Sequence, residues 1–331
     1  SKAFMAPGRV VQVRGNMKQR GILGDLWLKY RPRNGEIRDV RIVPSVAKGE
    51  LLLDAGVVLP NDGRYRFDGV IAEHGKVVKT FSSPLMTLEK GEQRVSFREK
   101  WKAEKLWDLD RPENLYTLEL CLKSEDGKEI DRLFPELFGF REFSVDGRDF
   151  LLNGKKIHLR SMGVNLTGSG ADKASAAQIR RAVKFAKKNG VNHFLPLEYR
   201  FLPGETGYQR TFYEELSRQG ILTSLPLPHA SHYGDLAKPE NARRYAADAA
   251  FQIRKFQNLP SIVFYVANHN FAGGANAQDP ERIAGILPAP GLSGNRKQAA
   301  LSEKIIAGID PDRIVNHHAG DLGAVYSINL Y

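Results

Sequence analysis

The chain has a single cysteine, Cys121, so no disulfide can form within it and its fold does not depend on a redox compartment. It has no run of about 18 apolar residues, and no membrane-spanning helix is expected. The opening segment Ser1–Pro7 has no apolar stretch of signal-peptide length; a leader already removed would leave the same trace. Zinc-finger, basic-zipper and RNP-type motifs are missing and the basic residues are scattered, so nucleic acid is not an expected partner. The glycine cluster Ala272–Ala275 is not a phosphate cradle, because no Lys-Ser/Thr follows it and no helix opens directly after it.

What remains is an ordinary globular composition, 42% hydrophobic and 26% charged. The 331 residues suffice for two domains at the usual ~100–200 residues each. The net charge of +11 has two readings: a solvated basic surface, or attraction to an acidic partner such as a uronate- or sulfate-bearing polysaccharide.

Residues 1 to 142 read as β-structure. Runs such as Val10–Val13, Leu26–Tyr30, Val40–Val43, Glu50–Leu53, Val77–Phe81 and Arg94–Phe97 are separated by turn signals, among them Arg33-Asn34-Gly35 and Pro60-Asn61-Asp62-Gly63. Tyr116–Leu122 alternates inward and outward residues. Short strands at this spacing predict an immunoglobulin-like β-sandwich.

After Asp149 strand-like and helix-like segments alternate, which argues for a parallel sheet. The expected strands are Ile157–Val164, Val191–Leu197, Ile221–Leu225, Ser261–Ala267, Arg313–His317 and Ala324–Tyr331. Helices are expected over Ala174–Lys188, Tyr208–Gln219, Glu240–Gln257 and Arg296–Gly308, two of them stopped at Asn189-Gly190 and Gly220. Function in a (β/α) barrel sits at the carboxyl ends of such strands. Six strands do not close an eight-stranded barrel, and an open edge invites pairing. More protein is therefore expected to complete the sheet.

Several ordered segments resemble glycoside hydrolase family 2. They are Gly21–Leu28, Arg111–Leu118 with Trp107 upstream, Leu137–Glu142 with Phe150–Lys155, Leu159–Asn165, Lys187–Asn192, Phe212–Leu222 and Pro260–Val263. The resemblance implies the end of a jelly-roll domain or a linker over residues 1–30, an immunoglobulin-like β-sandwich over 31–145, and the first six strands of an incomplete TIM barrel over 146–331. It implies hydrolysis of a β-linked galactoside or glucuronide in an oligo- or polysaccharide. The rest of the barrel and the jelly roll would come from the same or another chain, an oligomer is expected, and the setting would be periplasmic or secreted.

One departure matters. Where the family ends its acid/base strand in Asn-Glu, this chain has His269-Asn270. An amide cannot shuttle a proton. The seventh strand, which in the family carries the nucleophilic glutamate, is not reached. This leaves an alternative: a catalytically inactive carbohydrate-binding or assembly subunit.

Candidate catalytic residues are His269, Asn270 and Glu198. His269 titrates in a useful range, but neighbouring strand residues face opposite ways unless a bulge intervenes. Candidate substrate contacts are Asn165, His229, His232, His317, His318 and Tyr331, all at expected carboxyl ends of strands. Imidazole offers both a donor and an acceptor for sugar hydroxyls. His229-x-x-His232 with Glu198 or Asp235 leaves a metal reading open, though no metal and no cofactor is expected.

Overall fold

The computed structural model describes residues 34–164, 175–197, 209–269, 281, 294–318, 322 and 325. The expected strands at Val10, Leu26 and Ala324–Tyr331 lie outside them.

The first part is a β-sandwich. Its strands are β1 (Glu36–Ser45), β2 (Glu50–Leu59), β3 (Gly63–Glu73), β4 (Lys76–Ser82), β5 (Met86–Leu88), β6 (Gly91–Lys100), β7 (Tyr116–Ser124), β8 (Glu129–Arg132) and β9 (Glu136–Phe138). One antiparallel sheet runs β1-β2-β6 and the other β4-β3-β7-β8, with β5 on β3 and β9 on β7. The alternation in β7 decides its orientation. Leu118, Leu120 and Leu122 are wholly buried against Phe67, Ile71, Leu51 and Leu53, and each such side chain is worth roughly 1.5–3 kcal/mol. Phe67 and Phe97 stack across the two sheets at 5.2 Å.

Strand β3 does not stand out in the sequence, because Arg64, Arg66 and Asp68 dilute its apolar pattern and Gly69 interrupts it. The glycine is required by its neighbour. Gly69 pairs with Phe81 of β4, whose ring lies so close that an added Cβ would meet Phe81 Cζ at 2.0 Å.

A small antiparallel sheet follows: β10 (Phe143–Asp146), β11 (Asp149–Leu152) and β12 (Lys155–Ile157). Phe143 and Phe150 stack at 5.8 Å, and both meet Phe264 in T-shaped contacts. The expected single strand Ile157–Val164 is divided. Ile157 ends β12, and a new strand, β13 (Ser161–Val164), begins in another sheet. Asn192 causes the break: its Oδ1 accepts from Arg160 N at 2.8 Å and its Nδ2 donates to the His158 carbonyl at 2.9 Å. Those backbone groups are thereby taken from any ladder.

The rest is a five-stranded parallel sheet in sequential order, β13, β14 (His193–Pro196), β15 (Leu222–Pro226), β16 (Ile262–His269) and β17 (Ile314–His318). Among the described residues four α-helices lie between these strands: α1 (Ala176–Lys188), α2 (Gln209–Gln219), α3 (Pro239–Phe256) and α4 (Gly294–Ile309). Ser175 caps α1 by accepting from Gln178 N, and Gly190 ends it at φ 77°. Proline opens α3, which buries Tyr245, Ala249, Gln252, Ile253 and Phe256 at helical spacing. Among the described residues no helix is long and apolar enough to cross a membrane.

Candidate functional site

The carboxyl edge of the parallel sheet gathers polar side chains. After β15 the chain runs through Leu227 and Pro228 to His229 and a short 3-10 turn, Ala230–His232. His229 caps that turn: its Nδ1 accepts from Ser231 N at 3.3 Å and Ser231 Oγ at 2.7 Å. His229 is buried and His232 exposed, with ring centroids 5.6 Å apart.

Strand β16 is irregular near its end. Its pairing with β17 shifts between Val266 and Asn268, so that Asn268 lies opposite His317 and His269 opposite His318. A bulge of this kind interrupts the strict alternation of faces. The side chain that it turns inward to the helix layer is Asn268, 1% exposed. Its Oδ1 accepts from Ala230 N at 3.2 Å, and its Nδ2 contacts Ser302 Oγ at 3.1 Å and His317 Nδ1 at 3.3 Å.

The expected site residues therefore separate. His229, His232, His269 and His318 stand at the ends of β15, β16 and β17 or just beyond. Burial holds half-buried His318 below the ordinary histidine pKa. His317 corrects the expectation of a sugar contact: it is fully buried, and its ring is spent on Asn268 and on Glu303 of α4, 3.1 Å from Nε2. The bulge lies in β16; β17 alternates regularly, so His317 shares the buried face of Val315. Only the backbone of His269 is described. Asn165, Glu198, Asn270 and Tyr331 lie outside the described residues.

Asp235, named for the metal reading, works as a local brace. Its Oδ1 accepts from Ala237 N at 3.0 Å and Gln298 Nε2 at 2.7 Å, and those bonds hold its carboxyl below the usual range. Among the described residues no cluster of three or more His, Cys, Asp or Glu is placed to hold a metal ion.

Two buried polar residues escaped the sequence reading. One is Asn268. The other is His193 of β14, whose Nδ1 is 2.8 Å from Ser161 Oγ and whose Nε2 is 3.1 Å from Ser224 Oγ, bridging three strands. Burial pulls His193 down to about 4. The polar pair Thr223-Ser224 inside the run Leu222–Leu227 was the available signal.

A cleft of about 540 Å³ lies at the opposite, amino edge, between the sandwich and the parallel sheet. Its guanidinium groups are committed. Arg41 pairs with Asp310 and Asp312, Arg141 donates to the carbonyls of Pro260 and Ile262, and Arg313 donates to those of Ile262 and Gln257. The cleft is an inter-domain seam rather than part of the carboxyl-edge site.

Residues 35–141 match the family model "Glycosyl hydrolases family 2". That stretch is the sandwich, and it is similar to glycosyl hydrolase family 2. Solved structures extend the family 2 likeness into the parallel sheet. A β-D-mannosidase from Dictyoglomus thermophilum superposes with a TM-score of 0.64 at 19% identity, covering 85% of this chain and 34% of that one. A Parabacteroides merdae β-glucuronidase gives 0.62 at 19% identity over 90% of this chain and 36% of that one. An Eisenbergiella tayi family 2 β-galacturonidase bound to galacturonate gives 0.57 at 18% identity over 85% and 46%. At these identities the likeness concerns fold. The chain spans between a third and a half of the length of these structures. No curated protein matches the sequence.

Proposed function

We propose that the chain is the central portion of a family 2-type glycoside hydrolase that cleaves a β-linked galactoside or glucuronide. In this reading residues 31–145 are the immunoglobulin-like sandwich, and residues 146–331 supply the first six strands of an eight-stranded barrel. The single observation that carries it is the five-strand parallel sheet, in sequential order, attached to a family 2-like sandwich. That order is how a (β/α) barrel begins, and catalysis on barrels sits at the carboxyl edge. His229, His232 and His318 stand at that edge, and the proposed pocket adds Asn165, Glu198, His269, Asn270 and Tyr331. The remaining barrel strands and the jelly roll come from the same or another chain. The net charge of +11 favours an acidic glycan, and a periplasmic or secreted setting suits such a substrate.

A retaining mechanism needs two carboxyl groups about 5–5.5 Å apart. With Asn270 at the acid/base position, a proton donor has to come from His269 or Glu198, and the nucleophile from the completing segment. The test is hydrolysis of a panel of nitrophenyl β-glycosides by the full-length protein. Turnover on a galactoside or glucuronide is expected; a folded protein inert on every member would overturn the enzymatic reading.

Asn270 itself favours a second reading, a carbohydrate-binding or assembly subunit without turnover. An amide donates and accepts hydrogen bonds to sugar hydroxyls but transfers no proton. Calorimetric saccharide binding with no hydrolysis would select it.

A further inference from the structure

The Asn268 amide has a fixed direction. Ala230 N–H can only donate, and it points at Oδ1. The Nδ2 end therefore supplies hydrogens to its other two contacts. Ser302 is ready to receive one, because its own hydroxyl hydrogen goes to the Ala299 carbonyl at 2.7 Å. His317 Nδ1 must accept the second. That leaves the ring hydrogen of His317 on Nε2, where Glu303 Oε2 receives it. Asn268, Ser302 and His317 are all 1% exposed or less, so a reversed amide would set donor against donor at Ala230 N and acceptor against acceptor at Ser302 Oγ, with no water to relieve either.

The place of this relay in the chain gives it a role. Ala230 follows His229, Asn268 precedes His269, and His317 precedes His318. Each internal member is thus the immediate neighbour of a rim histidine. The relay also joins the ends of three adjacent elements: the turn after β15, β16 and β17.

We propose that Asn268 is a positioning residue: the directed chain Ala230 N–H to Asn268 to His317 to Glu303 sets the arrangement of the three rim histidines. His317 belongs to this scaffold in its Nε2–H form. The proposal holds whether or not the rim takes a saccharide.

Nitrogen-15 labelling of histidine in the full chain tests it, since two-bond proton–nitrogen correlations report which ring nitrogen carries hydrogen. In the wild-type protein His317 is expected to show a bare Nδ1 and a protonated Nε2. A hydrogen on Nδ1 would overturn the relay's direction, with no variant needed. Asn268→Asp has no hydrogen to give, so Nδ1 of His317 is expected to become protonated. The rings of His229, His269 and His318 should then shift, while His74, in the turn between β3 and β4, stays in place. Rim resonances that do not move in the folded variant would overturn the positioning role. Glu303→Gln keeps an acceptor at Nε2 on a partly exposed side chain, and the wild-type tautomer is expected to persist; its loss would also count against the relay.

Discussion

Asn258 acts as a neighbouring strand for Ile42. Its Oδ1 accepts from Ile42 N at 2.9 Å, and its Nδ2 donates to the Val40 carbonyl, also at 2.9 Å. The outer edge of β1 is thereby paired by one side chain from the loop after α3, and the sandwich is joined to the parallel sheet. Trp107 makes a second joint, donating from Nε1 to the Ser217 carbonyl at 2.8 Å.

Replacing Asn258 by alanine leaves a buried donor and acceptor of β1 unpaired. The expected loss is about 1–3 kcal/mol per orphaned group, read as a lower urea midpoint. Asn258→Asp should be worse than alanine near neutral pH: it retains one acceptor, loses the donor, and sets a second carboxylate against Glu136, now 3.4 Å from Nδ2.

Gly69→Ala forces Phe81 aside, since the new methyl would fall inside its ring. Overpacking of this kind costs about 1–3 kcal/mol. The double variant Gly69→Ala with Phe81→Ala should be less destabilised than the sum of the two, because the clash disappears with the ring. Thermal or urea unfolding of the four proteins checks this.

His193 makes stability fall in acid. The unfolded ring protonates near its ordinary 6.5, while the folded ring waits until about 4. Between those values the unfolded chain binds the extra proton, so stability present above pH 6.5 is lost as pH falls through that window. The gap corresponds to roughly 3 kcal/mol at about 1.36 kcal/mol per pH unit. Urea midpoints at pH 7 and pH 4.5 should differ less in His193→Gln than in the wild type.

Glu136 acts in the opposite direction. Desolvation raises its carboxyl from 4.5 to about 6, against the pull of nearby Arg210. Between those values the unfolded chain has ionised and the folded one has not, so this group lowers stability as pH rises through that interval. Glu136→Gln is expected to remove a contribution of roughly 2 kcal/mol, gaining stability at pH 7 and little at pH 4.

If Asn270 lines a saccharide pocket as proposed, Asn270→Ala should weaken saccharide binding by about tenfold, the worth of roughly 1.4 kcal/mol. Calorimetry on the folded variant reads this directly. Unchanged affinity would remove Asn270 from the pocket.

Much of the architecture was legible because it is written in short-range periodicity. The leucines of β7 alternate, the buried face of α3 recurs at helical spacing, and Gly190 and Gly220 stop their helices at φ 77° and 66°. Each of these signals resides in about ten residues and needs no partner. The family resemblance, carried by ordered short segments, likewise agreed with the match over residues 35–141. Strand β3 and the break at His158–Arg160 were not legible. Gly69 makes sense only beneath Phe81, and the break only beside the Asn192 amide.

The site divides along the same line. The sequence alone placed the histidines at strand ends, since the order of strands, turns and helices is local. Only the tertiary structure decided where their rings go. One extra residue in β16 exchanges the faces of that strand's end, while β17 keeps its alternation, and α4 supplies Ser302 and Glu303 to hold Asn268 and His317 inside. A side chain's direction at such a point depends on its neighbour's register and on the covering helix, and neither is encoded within the strand itself.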